Sequence, residues 1–290
     1  MGIVKYKFLE NATLKPLLSI AVVALFALTV LLVLNPAVAT PNENASDKAK
    51  DETKFVIPEN AKEIAPGVFH LGKFVSEGQI VEGIAIFHHR AWHGEGPGGG
   101  NGDEESSCYA FLINGYKWKK VEPWIVNAQN SPGLSDDFVL SNIELDIQKW
   151  EDAASRNILG EGSLTTAPLA ADLVWPTDAI NEVYFDDIAS PGAVGVTIVW
   201  YTSLGNKLIE WDMVLDDVDY GWTDSSIDGM PGMIDFENVV THELGHATGM
   251  GHPDDSCTEE TMFRFISLAA GETKKRDLNA GDIAGINALY

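Results

Sequence analysis

The sequence contains few cysteines and few positive charges for its length. Two of its 290 residues are cysteine, Cys108 and Cys257, which excludes a scaffold held together by several disulfides. Lysine and arginine together number 19, against 43 aspartates and glutamates, so the formal net charge is −24. Because nucleic-acid binding needs a basic surface to neutralise phosphates, we predict no nucleic-acid partner. The acidic surface suits an exported protein and leaves carboxylates that could bind calcium.

Long apolar runs are also scarce, and the single one lies near the N-terminus, from Leu17 to Leu34. Lysines precede it, and the small-x-small sequence Ala37-Val38-Ala39 follows it. This order is typical of a secretory signal, here cleaved after Ala39. The run also approaches the roughly 20 residues of a membrane-spanning helix. We therefore predict that residues 1–39 are a signal peptide, with a retained N-terminal membrane anchor as the alternative. Either segment would place the rest of the chain outside the cytoplasm, and only the anchor would contact a membrane.

The region between this segment and Cys108 is predicted to have three parts. Residues 40–54 are polar and lack an apolar period, which indicates a flexible tether. Residues 55–90 contain GVFHLGKF and IVEGIAIF around a turn at SEGQ, which predicts two strands. The sequence HGEGPGGGNGDEESS at residues 93–107 is typical of a linker. Residues 40–107 are thus predicted to be a tether, a small β segment and a glycine-rich linker, or alternatively an inhibitory pro-region that is removed.

Residues 108–290 are predicted to form the main domain. Ser135 followed by two aspartates is typical of a helix start, and apolar side chains then recur every three or four residues. Residues 181–188, 193–201 and 207–215 are rich in β-branched and aromatic side chains and lie between prolines and glycines, which predicts three strands of one sheet. The fold class is therefore α/β (α+β), with helices packed on a mixed sheet.

Histidine is absent between His93 and His242, and then three histidines fall within eleven residues, HELGHATGMGH. Asp235 is a good helix cap, and the sequence that follows contains no helix breaker.

On a helix, His242 and His246 would lie on the same face, so both imidazoles could reach one Zn²⁺ ion, with Glu243 beside it as a general base. Gly249 would end the helix and let His252 turn back as the third ligand. The pattern H-E-x-x-H alone also occurs by chance, but five fixed positions make coincidence a poor explanation.

This stretch resembles the H-E-x-x-H-x-x-G-x-x-H motif of metzincin zinc metallopeptidases, and Met262 in EETMF matches the methionine of their Met-turn. The segment GAVGVTIVWYTSLGNKLIEWDMVLDD is similar to the edge strand and the neighbouring strand of matrixins, and LNAGDIAGINALY is similar to their closing helix. The likeness extends over residues 116–290 and is closest to prokaryotic, peptidase M10 type enzymes. It implies a twisted mixed sheet with two long helices and a small C-terminal subdomain that holds the Met-turn and a closing helix.

The resemblance also implies a function. We expect a secreted zinc metalloendopeptidase that hydrolyses proteins or peptides, with Glu243 as the general base and substrates lying extended beside the edge strand at residues 193–201. The alternative is a non-catalytic zinc-bound extracellular interaction module, and we expect a monomer in both cases. Because the loop before the edge strand lacks the histidines of a structural zinc site, one zinc is predicted. Calcium could bind an acidic loop, for which a solvated surface is the alternative; its carboxylates are Asp216, Asp217, Asp219, Asp224 and Asp228.

Three states are open for the two cysteines. A Cys108–Cys257 disulfide suits an exported chain and is favoured. In matrixins a pro-segment cysteine can ligate the zinc of a latent precursor, but the surroundings of Cys108, ESSCYAF, lack the PRCGxPD context of that segment. A pair of free thiols is the third state.

Overall fold

The computed structural model describes residues 54–90, 108–130, 133–225, 233–267 and 271–290. The predicted signal peptide or anchor, the polar tether and the glycine-rich linker lie outside the described residues, as does Asp228. No helix in the described part of the chain is long and apolar enough to cross a membrane.

The described residues contain strands β1 to β14 and helices α1 to α3 in a mixed order, together with a 3₁₀ turn at Lys274–Arg276. The elements are β1 (Lys62–Ala65), β2 (Val68–Ser76), β3 (Gln79–Arg90), β4 (Ala110–Phe111), β5 (Lys117–Trp118), β6 (Trp124–Val126), α1 (Asp136–Ala154), β7 (Gly162–Leu164), β8 (Asn181–Asp186), β9 (Ala193–Thr202), β10 (Lys207–Asp216), β11 (Gly221–Thr223), β12 (Met233–Asp235), α2 (Phe236–Thr248), β13 (Met250–Gly251), β14 (Phe265–Ile266) and α3 (Ala280–Leu289).

The main sheet is mixed, as predicted, and its strand order is β1-β2-β3-β9-β10-β8-β6-β7. Strand β9 runs antiparallel to β3 on one side and to β10 on the other, whereas β10, β8, β6 and β7 are parallel to one another. Two short strands attach outside this path, β14 in parallel to β3 and β5 in parallel to β10. The mixed sheet, the two long helices and the closing helix confirm the predicted fold class.

Helix α1 begins and packs as its sequence indicates. The Ser135 side chain accepts a hydrogen bond from the Phe138 amide at 3.2 Å, which satisfies one of the free donors of the first turn. The apolar face is buried against α2, where the indole of Trp150 donates to the Thr241 carbonyl at 2.9 Å. Because Thr241 directly precedes His242 in the chain, this contact fixes the start of the histidine motif.

The position of the N-terminal hairpin corrects two expectations. Its two strands were predicted, and the turn between them has positive φ at both Glu77 and Gly78, as a two-residue hairpin requires. However, β3 pairs along most of β9, from Val81 opposite Thr202 to His89 opposite Ala193. The expectation that β9 is a free edge strand is therefore wrong. The hairpin is also not a segment separate from the main domain, because all described residues belong to one compact unit.

The sheet carries a hydrophobic cluster on each face. Alternation along β3 sends Ile84 and Ile86 to the cluster that contains the helices, and Ala85 and Phe87 to the opposite one. The second cluster includes the fully buried Trp200 of β9. Both faces of the β3–β9 pair are thus covered, and the hairpin is part of the hydrophobic core.

Candidate metal centre

Helix α2 carries the histidine motif and has a defined start and end. The Asp235 carboxylate accepts a hydrogen bond from the Asn238 amide at 2.8 Å, which caps the first turn. The helix ends at Gly249, whose φ of 105° lies in the left-handed region that glycine adopts without strain. The chain then reverses and brings His252 back to the helix.

The three predicted histidine ligands converge on one point. The Nε2 atom of His252 lies 3.1 Å from Nε2 of His246 and 3.3 Å from Nε2 of His242. Tetrahedral zinc ligands at the usual distance of about 2.0–2.1 Å would stand roughly 3.3–3.4 Å from one another. The spacing of these nitrogens therefore fits a zinc ion.

Backbone carbonyls fix the tautomers of two of these rings. The Nδ1 atom of His242 lies 2.6 Å from the Thr261 carbonyl oxygen, and that of His246 lies 2.9 Å from the Met250 carbonyl oxygen. Each Nδ1 must therefore carry the hydrogen and donate it, which leaves the Nε2 lone pair facing the point of convergence.

Burial favours the neutral form of all three histidines. It lowers the pKa of His246 to about 4 and the pKa of His242 and His252 well below the ordinary histidine value. Unprotonated nitrogen atoms that face one another at these distances repel unless a cation lies between them. The donor set, its spacing and its charge state thus suit Zn²⁺ bound by His242, His246 and His252.

Glu243 lies beside this point and is fully buried. Its Oε2 accepts a hydrogen bond of 2.6 Å from the Thr197 hydroxyl of β9. Its Oε1 has no hydrogen-bond partner and lies 3.3 Å from Nδ1 of His88. Burial raises the pKa of Glu243 to about 8, although the Thr197 hydrogen bond and the charge of Lys275 act in the opposite direction.

Met262 lies under the motif helix, where the resemblance places the Met-turn methionine. Its side chain is fully buried, and a Cβ added at Gly245 would overlap its sulfur atom. Only glycine therefore fits between the two histidines of the helix at this packing distance. The Met262 and Thr261 amides both donate to the Asp282 carboxylate, at 3.1 and 2.7 Å, so the first turn of α3 holds the Met-turn in place.

Three residues of this centre were not predicted as site residues: His88, Thr197 and Lys275. The His88 ring stacks on the His242 ring with 3.9 Å between their centroids. The Lys275 ammonium is fully buried and lies 3.0 Å from Nε2 of His88. A signal for His88 was present in the sequence, because period-two alternation puts it on the same face of β3 as Ile84 and Ile86. No local pattern pointed to Lys275 or Thr197.

The predicted calcium loop makes internal contacts instead of forming a group of free carboxylates. Asp216 accepts hydrogen bonds from the amides of Ile188, Val218 and Asp219, and Asp224 pairs with Arg276 at 3.0 Å. Calcium binding stays a prediction. Apart from the groups that contain His242 and Glu243, the described residues bring together one other group of potential metal ligands, the carboxylates of Asp172, Asp178 and Glu210.

Cys108 and Cys257 are joined by a disulfide, with 5.5 Å between their Cα atoms. The bond lies next to the metal centre, because β13 pairs with β4 and His252 follows β13 directly. It thereby links the chain entering the domain to the loop that supplies the third histidine.

Comparisons with known proteins agree with the motif and the fold. The family model described as matrixin matches residues 117–290, which is more than half of the chain. Among curated relatives, metalloendoproteinase 1-MMP of Arabidopsis thaliana is 42% identical over 57 residues, which is 20% of this chain and 14% of that protein. Matrilysin of Homo sapiens is 38% identical over 74 residues, 26% of this chain and 25% of that protein. Metalloendoproteinase 2-MMP of Arabidopsis thaliana is 35% identical over 78 residues, 26% of this chain and 19% of that protein.

The matched stretches thus span a quarter or less of each of these relatives. The family match begins within one residue of the position where the sequence resemblance was expected to begin, and it ends at the same residue. The expected family is confirmed: this chain belongs to the matrixin family.

Proposed function

We propose that this chain is a zinc-dependent endopeptidase, a hydrolase that cuts peptide bonds within extended segments of proteins. The observation that carries the proposal is the convergence of three neutral imidazoles, two buried and one half-buried, beside a buried carboxylate. Membership of the matrixin family supports it. The disulfide supports export, because such bonds persist in oxidising compartments. We therefore propose a secreted enzyme, or one anchored by its N-terminal segment and facing outward.

His242, His246 and His252 would hold the zinc ion. Three protein ligands leave a fourth position open, as catalytic zinc sites require. Zinc bound there would supply Lewis acidity, which polarises a carbonyl group and makes water more acidic. The carbonyls of Thr261 and Met250 orient two of the rings, which increases their basicity as ligands.

Glu243 would act as the general base and then as the general acid. Its carboxylate takes the proton of the attacking water and then delivers a proton to the leaving amine. Thr197 would hold one carboxylate oxygen by its 2.6 Å hydrogen bond and leave the other oxygen to accept the proton. Because Glu243 is buried, its charge would interact strongly with the reacting groups.

The test compares the full chain with Glu243→Gln, and uses Glu144→Gln on the exposed face of α1 as the matched control. All three proteins are loaded with zinc, the bound metal is counted, and the cleavage of an unfolded protein is followed. We expect equal zinc content in all three proteins, and a loss of activity of roughly 10²–10⁴-fold in Glu243→Gln alone, which is the usual contribution of a general base.

Equal and measurable cleavage by Glu243→Gln and the wild type would contradict the role of the carboxylate. The alternative function is a zinc-bound interaction module. It would be favoured if the zinc-loaded chain cuts no peptide even after its metal centre has been made accessible, as the next experiment does.

A further inference from the structure

We propose that the end of β3, residues 88–90, closes the substrate cleft, so that the chain folded in this form excludes extended peptides from Glu243. We call residues 88–90 the blocking segment. The inference rests on the proposed function, because it concerns the regulation of the same site.

The main chain of the blocking segment lies between two other strands. On one side His88 lies opposite Gly195 and His89 opposite Ala193 of β9. On the other side His89 pairs in parallel with Phe265 of β14. An extended peptide binds a sheet by adding main-chain hydrogen bonds to a free strand edge. In the described part of the chain, the edge of β9 and the edge of β14 that a substrate strand could join are both already paired with β3.

The side chain of His88 fills the space in front of the general base. It is fully buried, its Nδ1 lies 3.3 Å from Oε1 of Glu243, and its ring is stacked on His242. A peptide carbonyl and a water molecule would have to enter this same volume to reach Glu243. The carboxylate itself has no exposure to solvent in this arrangement.

One cavity approaches the centre from the other side. Its volume is about 220 Å³, it touches His252 but not Glu243, and His89 and Arg90 form part of its wall. Ligand pockets usually measure about 300–1,000 Å³. This cavity is smaller than such pockets, and two residues of the blocking segment form part of its wall.

The body of β3 packs into the hydrophobic clusters, and the blocking segment does not. In this body, Gly83 approaches Trp200 of the second cluster so closely that an added Cβ would lie 2.9 Å from the indole. A bulge then interrupts the ladder between His88 and His89. Nδ1 of His88 and Oε1 of Glu243 face each other at 3.3 Å without the geometry of a hydrogen bond, so this contact holds the closed arrangement only weakly. The blocking segment can therefore open locally while the hairpin body stays in the sheet.

The test weakens this segment in the full chain with His89→Pro, which removes an amide hydrogen where β3 meets β9 and β14. The matched control is Lys62→Pro in β1, an exposed strand that pairs only with β2. Binding of a peptide hydroxamate, a zinc-chelating probe, is measured on the zinc-loaded proteins by calorimetry. Hydrolysis of a fluorogenic peptide is measured in parallel, and amide hydrogen exchange of β3 and β9 reports on folding and on opening.

We expect His89→Pro to bind the probe at least about tenfold more tightly than the wild type, because an apparent dissociation constant is divided by the open fraction. Lys62→Pro should behave like the wild type. His88→Ala, which keeps the backbone pairing and removes the ring, is the second variant, and it should also bind more tightly.

Equal binding by the wild type and by folded forms of both His88 and His89 variants would overturn the inference, and so would the absence of binding by all of them. Tighter binding without hydrolysis would support the blocking segment and contradict the peptidase. Fast hydrolysis by the wild type, not increased in the variants, would support the peptidase and contradict the blocking segment.

Discussion

At the scale of single residues, the contact between Thr197 and Glu243 has the most direct consequence for the proposed chemistry. Thr197 is fully buried in β9 and makes the only hydrogen bond that the Glu243 carboxylate accepts among the described residues. A buried carboxylate held by one short hydrogen bond has a defined orientation. Without that bond, the carboxylate could rotate towards His88 and away from the reacting water. We therefore predict that Thr197 acts as a positioning residue for the proposed base.

We predict that Thr197→Val lowers kcat of the zinc-loaded enzyme by roughly 10- to 150-fold, since a lost hydrogen bond to a charged group costs about 1.5–3 kcal/mol. KM should change little, because the hydroxyl does not touch the substrate. Thr197→Ser keeps the hydroxyl and should restore most of the activity. Steady-state kinetics of the three proteins, together with their melting temperatures, tests this prediction. A parallel loss in Thr197→Ser, or a loss explained by unfolding, would assign the residue a packing role only.

At the scale of secondary-structure elements, the sequence predicted the helix ends but not the pairing of β3 with β9. The caps at Ser135 and Asp235 and the stop at Gly249 lie within a few residues of the helix ends they define, so the sequence alone located α1 and α2. The partner of β3 is more than one hundred residues away in β9. Strand pairing depends on which edges meet in the folded chain. The sequences of β3 and β9 contain no local pattern that specifies this pairing.

The residues of the candidate site also fall into a group that a local motif predicts and a group that it does not. Its three histidines and Glu243 lie in one short motif whose spacing matches a helix followed by a turn, so the motif was sufficient to predict them. Thr197, Lys275 and His88 come from three other elements and reach the site only through the tertiary fold. The disulfide also depends on that fold, because residues 108 and 257 are brought together by the pairing of β4 with β13.

The disulfide connects two elements that frame the metal centre, and its removal should affect both stability and metal binding. In the double variant Cys108→Ser/Cys257→Ser, we predict a loss of up to about 5 kcal/mol in the free energy of unfolding, given a loop of 149 residues. Zinc affinity should also fall, because His252 follows the β13 strand that the bond secures. Urea denaturation with and without zinc measures both effects.

The wild type treated with reductant in the presence of urea serves as the control for this variant, and it should unfold at the same urea concentration. Unchanged stability in the double variant would mean that the pairing of β4 with β13 holds this region without the covalent bond.

At the scale of the whole molecule, the large negative charge includes carboxylates that are buried inside the fold. Glu210 is 1% exposed. Burial raises its pKa from 4.5 to about 8, and the neighbouring charge of Asp172 adds to the increase, whereas hydrogen bonding with Thr177 and with the backbone of Ala179 acts in the opposite direction. Folding at neutral pH therefore requires Glu210 to keep a proton that the unfolded chain would release.

The pKa of Glu210 is higher in the folded state than in the unfolded state, and this difference sets how the stability of the fold depends on pH. Below about pH 4.5 Glu210 is protonated in both states, and it contributes nothing to the pH dependence. Between pH 4.5 and about pH 8 the unfolded state loses its proton first, so the free energy of unfolding falls as the pH rises. Each unit of difference between the folded and unfolded pKa of Glu210 changes the free energy of unfolding by about 1.4 kcal/mol.

We predict that Glu210→Gln is progressively more stable than the wild type as the pH rises from 5 to 9, by several kcal/mol in total. Glu144→Gln, on the exposed surface, should show no such trend. Chemical denaturation at a series of pH values gives the difference directly. A constant difference between Glu210→Gln and the wild type at every pH would contradict the shifted pKa.

The contact between Asp282 and the Met-turn has a consequence for how the protein is made. Asp282 holds Thr261, whose carbonyl in turn orients His242, and the hydroxyl of Tyr290 donates to the Thr248 carbonyl at the end of α2. A nascent chain leaves the ribosome from its N-terminus, so the motif helix emerges before the residues that orient its first histidine. The ribosome-bound chain therefore carries the metal ligands without their final arrangement. The metal-binding arrangement can then form only after the residues of α3, which hold the Met-turn, have also left the ribosome.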